Sequence, residues 1–544
     1  MSKRFLPCAA LLALAILPAP ARPADEKKPA DPGFVLRVQS IDELTQNFRY
    51  LAGLVGREDE AKQIEGFLKA KAGGPKGLEG IDAKRPMAIY GAFSDAGIES
   101  TTAVAVIPIA DEKAFLGLIE ALDAKAEKDK DGVYEVKSPN LQVPVYFRFA
   151  HRHAYATALN KDAIDKDKIL PPAAVLPAGK IPVLSLTLHI DQIPEKVRDL
   201  AVSQVESQLD AAKDEKKEGE TPAEHRAKGE FIDVVKKYVV SVLKEGGQVA
   251  LRFDVDEKAK ELSAELGLSG KKGSSLAKDI AALAERKSVV AGLVGPDSVL
   301  SFTLNLPNDE KFSAAMQGLV KEGIQKDIAK EENKEKKEQA EKMFKAFEPA
   351  LKFTDAEWAV DLRGPKPSGL YTLVGGMKVA DGRALEKSMR DAVAQLPEKE
   401  RAEIKFDADK ADGVAIHSIS TKQSDEGFKK AFGEGPAYFA VRSDAAFLAV
   451  GEGALEAVKE ALKVQPKGSQ PLQFEVSVAH VAEAMAKEQP EAPKAAAKAF
   501  GKDKDSDKIR VSLEAGAELK VRFVMKTPVL HFFHLMEGTG GEKK

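Results

Sequence analysis

Apolar and polar residues along this chain switch between two periods. Val35 opens an alternating run, VLRVQ, and Leu44, Phe48, Leu51 and Val55 then recur at helical spacing. Period-two alternation marks a half-buried strand and a 3.6-residue period marks an amphipathic helix, so the segment reads as strand then helix. The same succession returns at Val183 (VLSLTLHI), at Val299 (VLSFTLNL) and at Leu472 (LQFEVSV). A hairpin pattern follows each one: 87–93 with 100–109, 248–255 with 260–268, 357–363 with 368–376, and 508–515 with 518–525. Gly, Pro, Asp and Lys fill the joints, which is mostly turn chemistry. Each hairpin leads into a further amphipathic pattern. Phe115, Leu118, Ile119 and Leu122 carry the first, Leu276, Ile280 and Leu283 the second, and Leu385, Met389, Val393 and Leu396 the third. Leu530 to Met536 is a fainter fourth.

The first and third modules carry an extension. Asp131-Gly132-Val133 matches Asp412-Gly413-Val414, and VYFRFAHRHAYAT (145–157) matches AYFAVRSDAAFLA (437–449). In that register Tyr146 aligns with Tyr438, Phe147 with Phe439, and Tyr155 with Phe447. The modules therefore alternate long and short: 34–180, 181–290, 291–465 and 466–536, with a tail at 537–544. Strands with a polar alternate face point to antiparallel sheets. The expected fold is α+β, with helices packed on one face of antiparallel sheets and an internal duplication. Charged inserts of mixed sign separate helix from hairpin at 69–80, 211–230, 326–345 and 487–508, and read as solvated faces.

Composition sharpens the placement. The chain has 544 residues, 44% of them hydrophobic, which is enough for a sizeable core. Basic and acidic residues nearly cancel, at 82 against 85, and this argues against a nucleic-acid binder. Lys3 and Arg4, the apolar run Ala9 to Leu17, and Ala19-Pro20-Ala21 form the three regions of a secretory signal peptide, expected over 1–21. Residues 22–33 then read as a flexible lead-in. The single cysteine, Cys8, would leave with the signal, so an intrachain disulfide and a thiol nucleophile are excluded. No later stretch approaches a transmembrane length. The expected location is periplasmic or extracellular.

Candidate chemistry is sparse. Gly270-Lys271-Lys272-Gly273-Ser274-Ser275 fails the phosphate-loop pattern and reads as a turn into a helix, with Ser275 near the cap. No G-x-S-x-G elbow is present. His151 and His153 sit two apart on a strand or turn, and His531 and His534 sit three apart with Glu537 beyond. These four are the candidate metal ligands, though H-E-x-x-H is missing. Asp503, Asp505, Asp507 and Glu514 approach a calcium-loop spacing, but Lys508 replaces its glycine and a strand follows. The recurring aromatics Tyr146, Phe147, Tyr155, Tyr438, Phe439 and Phe447 read as core, or as the wall of a hydrophobic cleft.

The succession VLSFTLNLPNDEKF, EWAVDLRG, GLYTLVGGMKVADGRALEKSM, DGVAIHSI and AYFAVRSDAAFLAVGEG resembles exported bacterial proteins of unknown function built from repeated strand–helix–hairpin modules. The resemblance spans most of 34–536 and implies export and a repeated α+β fold, with no activity attached. The expectation is a non-catalytic binding or scaffold protein without a cofactor, whose partner is a protein or a hydrophobic small molecule. An exported hydrolase or metal-dependent enzyme and an envelope protein-interaction module are the alternatives.

Overall fold

Alternation along the chain becomes antiparallel pairing in space. The computed structural model describes residues 31–540, apart from 72–77, 95–96, 296–297, 308, 331–333, 335–336, 339, 342–343, 345–355, 423, 488, 502 and 504. The expected signal peptide lies outside the described residues. The chain divides into two units. One comprises residues 1–202, 243–272 and 526–544, and the other 203–242 and 273–525.

The first unit holds β1 (Phe34–Val38), β2 (Met87–Ser94), β3 (Gly97–Pro108), β4 (Lys125–Lys128), β5 (Tyr134–Lys137), β6 (Val145–Ala150) and β7 (His153–Ala158). It also holds β8 (Leu184–His189), β9 (Gly246–Asp256) and β10 (Glu261–Gly270). Their order across the sheet is β4-β5-β6-β7-β3-β2-β1-β8-β9-β10, with every neighbour antiparallel.

In the second unit a two-residue pair, β11 (Lys287–Ser288) with β19 (Lys467–Gly468), stands apart from the main sheet. That sheet contains β12 (Ser298–Leu306), β13 (Ala356–Arg363), β14 (Thr372–Lys378), β15 (Ile404–Ala411), β16 (Val414–Ile419), β17 (Ala437–Val441) and β18 (Ala445–Gly451). β20 (Leu472–Ser477), β21 (Lys508–Glu514) and β22 (Leu519–Lys526) complete it. The order is β15-β16-β17-β18-β14-β13-β12-β20-β21-β22, again antiparallel throughout. Strand for strand, the two units share one connection order.

Helices start where side chains can satisfy their first free N–H groups. Ser40 and Glu43 form a reciprocal capping box on Ile41–Leu54. Asp111 caps Glu112–Ala121 and Asp381 caps Gly382–Ala394. Ser274, one residue before the expected position, caps Ser275–Ala284 through the Ala277 N–H. Helix Gly382–Ala394 begins hard against a strand: a Cβ on Gly382 would lie 1.9 Å from the Arg442 carbonyl oxygen. Glycine is therefore what lets that helix approach.

Each sheet buries part of both faces. In the first unit Val35, Tyr90, Val106 and Tyr155 pack with Ile164 and Val175 on one side. Phe147 and Ala154 pack under Phe115 of helix Glu112–Ala121 on the other. In the second unit Ala359, Val374, Phe447 and Ala449 pack under Ala457, Val458 and Ala461 of helix Ala454–Leu462.

Candidate functional site

Register decides which side chains share a face, because directly opposed residues of antiparallel strands point the same way. In the second unit Met377, Trp358, Leu304, Leu472, Leu513 and Val521 stand opposite one another in a single row across six strands. Beside it runs Gly375, Val360, Phe302, Phe474, Val511 and Phe523, and then Leu373, Leu362, Leu300, Val476, Ile509 and Met525. The residues between them on the same strands point to the opposite face. That face buries Ser301, Thr303, Asn305, Glu357 and Asp361. On β12 and β13 the polar residues are thus enclosed, while the apolar rows are incompletely covered. Trp358 is 44% exposed, Val521 44% and Leu448, opposite Gly375, 47%.

The first unit repeats the arrangement. Ala105, Ile89, Leu36, Leu186, Leu251 and Leu266 form one row, and Ala103, Gly91, Phe34, Leu188, Val249 and Leu268 the next. Met87, Val38, Leu184, Phe253 and Ala264 form a third. Leu184, Leu251 and Leu266 are exposed. Scattered exposed leucines carry no message, but a contiguous apolar patch does.

Both buried carboxylates of this face find hydrogen-bond donors. Glu357 accepts hydrogen bonds from the Ser288 hydroxyl at 2.8 Å and from the Val289 N–H. Asp361 accepts from Arg363 Nε at 2.7 Å and from the Gly295 N–H at 3.2 Å. Buried carboxylates need such partners, since an unpaired one is strongly penalised.

A second constellation lies at the other end of the same unit. Glu386 and Arg390 are one helical turn apart on helix Gly382–Ala394, and their side chains meet Asp407 of β15 and His417 of β16. Arg390 Nη2 lies 2.7 Å from Glu386 Oε1 and 2.6 Å from Asp407 Oδ1. The guanidinium also sits 4.6 Å over the Phe406 ring. Asp407 has a left-handed backbone (φ 54°), and the β15–β16 register shifts around it. This is the geometry of a bulge that re-aims a side chain. Among the described residues, Glu386, Asp407 and His417 form the one group of three possible metal ligands whose donor atoms lie within 4.8 Å of one another.

The hydrogen bonds argue against a metal there. The Asp407 N–H donates to His417 Nδ1 at 3.0 Å, so Nδ1 is the acceptor. The proton of the neutral ring is then on Nε2, which faces Glu386 Oε1 at 3.4 Å. A metal would need that nitrogen bare, and Arg390 already pairs with both carboxylates. The ring is fully buried, and this desolvation first of all holds the His417 pKa below its ordinary value. The hydrogen bond from Arg390 holds the Asp407 carboxyl below the usual carboxylate range.

None of these four residues was singled out by sequence motifs. The available signal was a departure from the repeat. In the register set by Asp131-Gly132-Val133 and Asp412-Gly413-Val414, His417 stands where the first unit has Val136, beside the Phe115, Phe147 and Phe149 rings.

The histidines that sequence did suggest are engaged separately. His153 is buried, and its Nδ1–H donates to the His151 carbonyl at 2.8 Å. Its Nε2 therefore accepts from Arg85 at 3.0 Å, and both ring nitrogens are spent. Its pKa too is held down by burial. His531 Nδ1–H donates to the Leu54 carbonyl at 3.0 Å. His534 approaches Gly56. Neither pair belongs to a three-ligand group among the described residues. Asp507, of the calcium-like spacing, accepts from the Ser477 hydroxyl and the Ala479 N–H.

The aromatic sets do not line one cleft. Tyr146 and Phe147 are adjacent on β6 and so face opposite sides. Tyr146 and Tyr155 pack in one cluster and Phe147 in the other. Tyr438 and Phe447 likewise pack together. Phe439 turns the other way, 4.8 Å from the His417 ring.

No protein-family model and no curated protein matches the chain. A solved structure of TP0453, crystal form IV, is similar at 11% identity over 44% of this chain and 76% of that one, with a TM-score of 0.21. A score that low carries no argument about fold or function.

Two outcomes follow from the cluster and the buried histidines. Tautomer-resolved ¹⁵N NMR at pH 7 should find His417 neutral with its proton on Nε2 and His153 neutral with its proton on Nδ1. A cationic ring, or a His417 signal that moves on addition of zinc, would contradict this assignment. The second concerns Arg390→Gln. Because the folded-state pKa of Asp407 is depressed, its stabilisation is full above about pH 4 and is lost as pH falls through the depressed value. The variant should therefore be less stable near pH 7, by about 1 kcal/mol or less given the exposure of both partners. The gap from the parent should close in acid. Urea denaturation at several pH values measures it, and a gap that persists in acid would refute the pairing.

Proposed function

We propose that this protein is exported and non-catalytic, and that it binds an amphiphile with an extended apolar body against the apolar rows of its sheets. The single observation that carries the reading is the row structure: three adjacent cross-strand rows whose polar alternates on β12 and β13 are enclosed and whose apolar members stay partly open. Folding normally does the reverse, and an apolar face left open is retained for something that covers it. We also propose that the units descend from one duplicated long–short pair of modules. Their shared strand order supports that history.

Export rests on the positive, apolar and small-residue regions at the start of the sequence. Among the described residues no helix is long and apolar enough to cross a membrane. An acyl chain suits the rows because it is long, flexible and without a directional polar requirement until its head group.

Trp358 is the only tryptophan in the chain and lies in the first of the rows, so it reports on the face directly. Palmitate titrated into the mature protein should shift Trp358 emission to shorter wavelength in a saturable way. Leu448→Ser and Val521→Ser should each weaken binding roughly fivefold, since completing the burial of one half-covered side chain is worth about 1 kcal/mol. An emission spectrum indifferent to palmitate, with affinity for apolar probes unchanged by both substitutions, would contradict the reading. A partner protein that protects Trp358 in palmitate's place would favour an interaction module instead.

A further inference from the structure

The second unit contains a cavity of about 460 Å³ on the polar side of its sheet, the side opposite the apolar rows. Small-molecule sites span roughly 300–1,000 Å³. Ser301 and Thr303 of β12 line it together with Gln473 of β20, which stands directly opposite Thr303. The segment 467–470, which begins with β19, forms another part of the wall. Asn305 holds that segment in place. Its Nδ2 donates to the Ser469 hydroxyl at 2.9 Å, and its Oδ1 accepts from Arg286 Nε at 3.1 Å.

Two hydroxyls in this wall are idle. Ser301 is 4% exposed and Thr303 9%, yet neither hydroxyl has a hydrogen-bond partner among the described residues. Neither is sealed inside protein, as the orphaned Thr101 hydroxyl is, and both side chains open onto the cavity. The first unit shows what fills such a face. Val35-Leu36-Arg37 lies in β1 and Val299-Leu300-Ser301 in β12, strands that hold the same place in the two sheet orders. Arg37 donates from Nε to the Val175 carbonyl at 2.6 Å and from Nη1 to the Thr187 hydroxyl at 3.1 Å. Serine in place of that arginine leaves both the space and the hydroxyls free.

We propose that this cavity binds a monosaccharide-sized sugar acid, with Ser301, Thr303 and Gln473 holding its hydroxyls and Lys467 its carboxylate. Serine and threonine hydroxyls both donate and accept, and a carboxamide offers a donor and an acceptor side by side, which is the pattern that sugar hydroxyls complement. Lys467 is the one cation among the lining residues, and no carboxylate lies beside it there. A ligand with many hydroxyls and one negative charge answers that wall. An apolar ligand would strip water from the hydroxyls and return no hydrogen bond. The site lies on the other face from the apolar rows and stands or falls without them.

Isothermal titration of the full chain at low salt tests this with glucuronate, glucose and inorganic phosphate as probes. Glucuronate should bind saturably and more tightly than glucose, and that advantage should shrink as salt is raised. Thr303→Val keeps the shape of the side chain and removes its hydroxyl. It and Ser301→Ala should each lower glucuronate affinity roughly fivefold. Neither should lower the melting temperature without ligand, because neither hydroxyl is bonded within the fold. Lys467→Gln, at an exposed position, should bring glucuronate down to the affinity of glucose with an unchanged melting temperature. Absence of saturable glucuronate binding, glucose bound as tightly as glucuronate, binding of phosphate alone, or an affinity unmoved by both hydroxyl substitutions would overturn the proposal. Loss of stability in Thr303→Val with glucuronate affinity retained would show a structural hydroxyl and overturn it as well.

Discussion

Everything described here depends on antiparallel register. The side-chain period of a strand is two, so one residue of slip would carry every apolar row to the enclosed face and every buried polar group to the open one. Nine ladders in each unit hold that register from β4 to β10 and from β15 to β22. The irregularities are local, as at the bulge around Asp407. The penalty for slipping is unusually steep in the second unit. Glu357 and Asp361 would leave donors placed for them at Ser288, Val289, Gly295 and Arg363. The enclosed carboxylates and the hydrocarbon beside them, Ala359 and Val374, together fix this sheet in one pairing.

That constraint connects sequence to function. Strands such as VLSFTLNL place Leu300, Phe302 and Leu304 on one side and Ser301, Thr303 and Asn305 on the other. Hydrophobic burial alone would turn the leucines in. The observed arrangement buries Ser301, Thr303 and Asn305 and leaves Trp358, Leu448 and Val521 partly in water. The open apolar rows have to be offset elsewhere in the fold. The alanine-rich contact of helix Ala454–Leu462 with Ala359 and Ala449 is one such place, with small residues letting helix and sheet approach closely.

Much of this was legible in the sequence, for a physical reason in each case. The strand–helix–hairpin–helix succession was legible because both periods are encoded locally, and the antiparallel α+β architecture with its helices follows from them. The match of Tyr155 with Phe447 was legible because a repeated sheet position needs a repeated core residue. The apolar rows were not legible, because a row is a product of register across six strands and no single strand displays it. The polar cluster was hidden for the same reason: Glu386, Arg390, Asp407 and His417 lie on three elements, and only the i,i+4 spacing of Glu386 and Arg390 is local. The suggested histidines drew attention by being close in sequence. His151 and His153 are close, yet the hairpin turn spends the second ring on the carbonyl of the first.

The central claim is that the open apolar rows exist to be covered by an amphiphile. Native mass spectrometry of the protein, purified from its own cells without detergent, tests it most directly. The account predicts a population of protein carrying one or more reproducible lipid-range adducts, reduced when Leu448 and Val521 are replaced by serine together. A homogeneous, adduct-free protein, or adducts whose occupancy ignores both substitutions, would contradict it.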